Sequence, residues 1–203
     1  MKTTLKIAAA VSVLFRPFYL PLMGLAALFI FSMLSILPWS YRVIVLVTVW
    51  GCTVVLPQLL IKLHQKSLVL HILPFSKKES RLVPYTISIL CYLLCYWLLT
   101  LLNAHHTIKA VLVAALIVQM ICAIINLRWK ISTHTAAIGS FLGGLIAFSC
   151  IFLFNPVWWF CVITFIGGVV GTSRMILRQH TLLEVVGGYC IGFVGALVTI
   201  LLV

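Results

Sequence analysis

Uncharged stretches of about twenty residues recur along this chain, and each is long enough to carry a helix across the hydrocarbon core of a bilayer. They run over 17–37, 43–61, 84–104, 110–127 and 185–203. A sixth stretch, Thr135 to Ser173, is about twice the length of one crossing and is interrupted by Asn155-Pro156. Proline disfavours helix in the residue before it, so this dipeptide marks a turn between two helices. With 64% hydrophobic and 8% charged residues, the chain cannot cover a water-facing surface. The expected fold is all-α: a polytopic transmembrane helical bundle of about six to seven spans, forming one integral membrane domain over 1–203. Residues 1–16 carry Lys2 and Lys6 ahead of Arg16-Pro17 and have no small-residue cleavage site. They are expected to form an interfacial lead-in helix rather than a cleaved signal.

Numbering the spans in order puts twelve of the fourteen basic residues on the side of the N-terminus, with only Arg42 and Lys109 opposite. The positive-inside rule makes that side cytoplasmic, as expected of a multi-pass protein of a bacterial cell membrane. A phosphate-binding site would collect cations in the same way. Lys2, Lys6, Lys62 and Lys66 lie outside every motif and still point to the cytoplasm. A net charge of +12 with no nucleic-acid-binding motif directs the chain to the anionic headgroups of the bilayer, and no nucleic-acid partner is expected.

Ionisable residues kept near the ends of spans are the candidates for chemistry, because holding charge at membrane depth is costly. Three clusters qualify: Lys77-Lys78-Glu79-Ser80-Arg81 before Pro84, Arg128 to His134, and Ser173-Arg174 with His180 and Glu184. Two spans separate the first from the second and two more separate the second from the third. An even count brings all three to one face of the membrane. His180 and Glu184 are four residues apart, one face of a helix. A carboxylate on one imidazole nitrogen fixes the tautomer and leaves the other nitrogen free to attack. Arg174, Arg81 and Lys78 are suited to neutralising a phosphoryl group, and His134 to protonating a leaving alkoxide. Lys130 is the better placed of the Arg128–Lys130 pair to face such a site. The chain has two carboxylates in all, Glu79 and Glu184, too few for the usual oxygen cage of a magnesium-dependent phosphoryl transfer. No metal and no other cofactor is expected.

These residues resemble the signatures of the type 2 phosphatidic acid phosphatase superfamily. Ser173-Arg174, five residues, His180, three residues, Glu184 is similar to its third signature, which ends in aspartate. Ser132-Thr133-His134 resembles the second, Pro-Ser-Gly-His, and Lys78, Arg81 and Pro84 occupy the place of the first in compressed form. The resemblance covers roughly 77–195, an expected phosphatase-like core. It implies metal-independent dephosphorylation of a lipid phosphate or diphosphate, with His180 as the nucleophile forming a phosphohistidine, Glu184 as its orienting partner and His134 as the acid. Lys78, Arg81, Ser132, Lys130 and Arg174 would hold the phosphate. A catalytically silent lipid-phosphate binder or transporter stands as the alternative, and a basic loop with snorkelling arginines as the structural one.

The remaining polar features call for packing or, at His105-His106, a solvated turn. All seven cysteines fall in apolar runs without a Cys-x-x-Cys pair, and His105-His106 belong to the opposite side. Glycines at helical spacing, Gly139/Gly143, Gly167/Gly171 and Gly188/Gly192, are expected to let helices approach closely in lipid.

Overall fold

The computed structural model describes residues 2–15, 17–70 and 79–203. Arg16, His71, Lys77 and Lys78 lie outside the described residues, as do the side chains of Lys2, Lys66 and Arg81. Every regular element among the described residues is helical: α1 (Lys2–Leu14), α2 (Leu20–Phe31), α3 (Trp39–Trp50), α4 (Leu56–Leu70), α5 (Glu79–Leu101), α6 (His106–Asn126), α7 (Thr133–Phe152), α8 (Val157–Ile176) and α9 (Leu182–Leu202). Six of the resulting rods are long and apolar enough to span a membrane, and the bent α1–α2 pair makes up to seven. The chain is a multi-pass, all-α helical bundle.

The stretch 17–37 is the one place where an expected span is not a single helix. Pro17 opens a short 3₁₀ turn (Pro17–Tyr19), and α2 stops at Ser32. There the Ser32 hydroxyl donates back to the Leu28 carbonyl at 2.6 Å, and its oxygen accepts from the Leu34 amide at 3.2 Å. Twelve residues of helix cover only about 18 Å, and α2 meets α1 at a bend of 76°. By contrast α3 and α4 form one rod, Trp39–His64, through a π turn at Gly51–Val55. Pro57, with no N–H to give, lies just beyond that turn and offsets the ladder.

Three tight reversals set the order of the spans. Asn103 after α5, Leu153 after α7 and Arg178 after α8 all take left-handed backbone angles, with φ of 50°, 54° and 52°. At the second of these, the Asn155 side chain accepts from the Val157 amide at 3.1 Å and starts α8, so the Asn155-Pro156 turn lies where its sequence puts it. His105 caps α6 in the same manner, its ring nitrogen accepting from the Thr107 amide at 3.4 Å.

The closest pair in the bundle is α7 with α9. A methyl group added at Gly192 would overlap the Ala136 carbonyl, with its carbon at 2.6 Å and Cα at 2.9 Å. One at Gly139 would overlap the Tyr189 carbonyl, and one at Gly188 would stand 2.6 Å from the Ser132 carbonyl oxygen. Only glycine permits this backbone-to-backbone approach, the small-residue packing that holds helices together where lipid supplies no hydrophobic drive. Its effect is to fix the first turn of α7 beside the first turn of α9.

Candidate active site

At that junction the chain enters α7 through Ile131 and Ser132, both buried, and enters α9 through His180 and Thr181. Thr181 caps α9 with a reciprocal box: its hydroxyl accepts from the Glu184 amide at 3.4 Å, while the Glu184 carboxylate accepts from the Thr181 amide at 3.2 Å. Such a box satisfies two amides that the helix itself leaves unpaired. The same carboxylate oxygen, Oε2, lies 2.8 Å from His180 Nδ1. An ionised carboxylate can only accept, so Nδ1 carries the proton and Nε2 presents its lone pair. One side chain thus both starts the helix and sets the tautomer of the imidazole.

His180 is held below the ordinary imidazole pKa, chiefly by burial. The hydrogen bond and charge of Glu184 oppose that shift, and the positive charges of Arg174 and Lys130 add to it. The net direction keeps the ring neutral, and therefore nucleophilic, at neutral pH.

The two segments are stitched together. The Ser132 amide donates to the Glu184 carbonyl at 3.3 Å, and Lys130 Nζ donates to the Gln179 carbonyl at 2.6 Å. His134, one residue into α7, and His180 line one cavity together with Lys130, Pro84 and Tyr85. The cavity has a volume of about 750 Å³ and continues along α7 to Phe148, Phe154 and Trp159, with walls that are mostly apolar.

Of the residues singled out by sequence, His180, Glu184, His134, Lys130, Ser132 and Arg174 come to one end of the bundle. Ser132 is fully buried, and its hydroxyl has no hydrogen-bond partner among the described residues. Arg174, in the last turn of α8, is half-buried; its Nη1 donates to the Ser12 hydroxyl of α1 at 2.7 Å, and its Nε is unpartnered among the described residues. Neither Ser132 nor Arg174 lines the cavity itself. Among the described residues, the first cluster and the residue after it reach the cavity through Pro84 and Tyr85. Lys78 lies outside the described residues, and Arg81 falls in the first turn of α5 with its side chain undescribed.

Sequence reasoning did not find Ser12 or the Thr181 cap. The second had a legible signal, since Thr181-x-x-Glu184 is the capping-box pattern. Ser12 had none: it stands 162 positions from the arginine it meets.

The comparisons with known proteins reach part of the chain. No curated protein and no solved structure matches at a significant level. The family model of the PAP2 superfamily matches residues 126–203, less than half of the chain and the part that contributes α7, α8 and α9. Over that stretch, which carries the Ser132–His134 and Ser173–Glu184 motifs, the chain is similar to the PAP2 superfamily, the family of the type 2 phosphatidic acid phosphatases.

Proposed function

We propose that this membrane protein removes phosphate from a lipid phosphate or diphosphate through a covalent phosphohistidine at His180. The family supports phosphatase activity on lipid phosphates in general. The observation that carries the specific reading is the 2.8 Å contact between His180 Nδ1 and Glu184, with His180 and His134 opening on the same cavity.

In this scheme Nε2 of His180 attacks phosphorus, and the bond from phosphorus to the lipid oxygen breaks. The lipid oxygen takes a proton from His134 and leaves as an alcohol, or as a monophosphate from a diphosphate. Water, deprotonated by the now neutral His134, then displaces phosphate from the imidazole. Lys130, on the cavity wall, stabilises the charge carried by the phosphoryl oxygens; Arg174 and the Ser132 hydroxyl, which do not line the cavity, are proposed to reach the phosphoryl group once substrate binds, and Lys78 and Arg81 to join them. Electrostatic stabilisation of this kind supplies most of the rate in phosphoryl transfer. The apolar continuation of the cavity is suited to the chain of the substrate while its headgroup meets the cations. The basic face is assigned to the cytoplasmic side of a bacterial cell membrane on the charge asymmetry of the sequence.

The test is His180→Ala in detergent with chelator present, over phosphatidate, phosphatidylglycerol phosphate, a polyprenyl diphosphate and a lipid A phosphate. Release of inorganic phosphate should be abolished while the variant elutes and melts as the parent does. Radiolabelled phosphate should be trapped on the parent in a linkage that is acid-labile and alkali-stable. Unchanged turnover in the variant removes the nucleophile from the scheme. A parent that binds the lipids but gives neither phosphate nor adduct is a silent binder.

A further inference from the structure

Helix α1 lies wholly outside the residues that match the family, yet it supplies the hydroxyl that holds Arg174. We propose that Ser12 is a positioning residue for the phosphatase reaction, holding the Arg174 guanidinium in place at the His180 end of the bundle; this rests on the function proposed above.

The argument begins with the packing of α1 on α8. Ala8 and Ser12, one turn apart, are both buried, and Val11 and Phe15 pack against the cluster of Ile138, Leu142, Ile163 and Val170. That apolar contact fixes the rotation of α1 and so decides which side chain meets the last turn of α8. A guanidinium carries five N–H donors in one plane. The Ser12 oxygen accepts from Nη1 at 2.7 Å, which pins the plane at one corner. Nε, buried and unpartnered among the described residues, is left on the rigid side of the fork for another acceptor. A hydroxyl suits this task because it adds no charge. A carboxylate in its place would neutralise Arg174 and compete with phosphate. Arg174 is also close enough to His180 for its charge to act on the imidazole.

The experiment measures kcat and KM for phosphate release by the full-length protein and by Ser12→Ala, Ser12→Thr, Arg174→Lys and Ser12→Ala/Arg174→Lys. Ser12→Ala should lower kcat about tenfold with KM within about twofold, the pattern of an interaction made in the transition state. Ser12→Thr, which keeps the hydroxyl, should recover activity to within about threefold of the parent. In the Arg174→Lys background, where no planar fork remains to be oriented, adding Ser12→Ala should change kcat by less than about twofold. Ser12→Ala with parental kinetics overturns the inference, and so does a loss that is equally large in the Arg174→Lys background, since that is the mark of a general packing defect. If the parent releases no phosphate from any lipid phosphate, the proposed function fails and the inference with it; turnover by the parent with an indifferent Ser12 overturns the inference alone.

Discussion

Replacing Glu184 by glutamine changes almost no volume and removes one negative charge from beneath the imidazole. In the parent, Oε2 accepts from both His180 Nδ1 and the Thr181 amide. The amide oxygen of glutamine can still accept from both, so the cap survives and the loss is chiefly electrostatic. When Nε2 bonds to phosphorus, the ring becomes cationic with its protonated Nδ1 facing the carboxylate at 2.8 Å. Two unit charges centred about 4 Å apart interact by about 4 kcal/mol at an effective dielectric of about 20. Partial charge transfer in the transition state realises about half to all of that, or about 2–4 kcal/mol. At about 1.4 kcal/mol per tenfold, kcat should fall between about thirtyfold and about a thousandfold. A second consequence has a definite sign. Glu184 raises the His180 pKa against burial, so its neutralisation lowers that pKa further. Since Nε2 must be unprotonated to attack, the acid limb of the kcat/KM profile should move to lower pH even as the plateau drops. The assay is phosphate release from pH 4 to 9 in detergent, alongside a thermal melt. A Glu184→Gln variant with activity within about threefold of the parent, or an acid limb that moves upward, refutes the orienting role.

Two further outcomes test the rest of the arrangement. His134→Gln should slow formation of the labelled phosphoenzyme from an alkyl lipid phosphate by about 10²–10⁴-fold, the range of general acid catalysis, while its formation from p-nitrophenyl phosphate, whose leaving group needs no proton, slows far less; equal losses in this step argue against an acid. Gly192→Leu should destabilise the bundle by about 3 kcal/mol or more, since the side chain meets the Ala136 backbone and cannot be relieved by rotation; a melting temperature within a few degrees of the parent contradicts the close α7–α9 contact.

The spans from α3 to α9 and the meeting of the second and third clusters were legible because two simple rules govern them. Hydrocarbon admits a backbone only as helix or closed barrel, runs of about twenty apolar residues select helix, and helix count fixes which ends share a face. His180 and Glu184 were equally readable, because a four-residue separation at the head of a helix leaves few other arrangements. What escaped was non-local or strained. The break in 17–37 depends on prolines and on a serine that bonds to its own helix, features that hydropathy averages away. Ser12 reaches Arg174 only because α1 lies along α8, a docking that no periodicity in residues 2–14 announces. The glycine spacing promised close helices but left partners unnamed; the seating of Gly139 on Tyr189 and of Gly192 on Ala136 had to be seen in three dimensions.

That glycine seam has a bearing on how a lipid could reach the imidazoles. With main chains of α7 and α9 pressed against one another, no alkyl tail can wedge between them, and His134 and His180 ride on a single stiff wall. The hollow facing that wall is bounded by Pro21 and Gly24 on the short, kinked N-terminal side, by Pro84 and Tyr85 on α5, and also by residues of α6 and α8 such as Val118 and Ile163. A parting of helices that admits a substrate therefore does not run through the α7–α9 seam, and the two imidazoles keep their separation while another flank gives way.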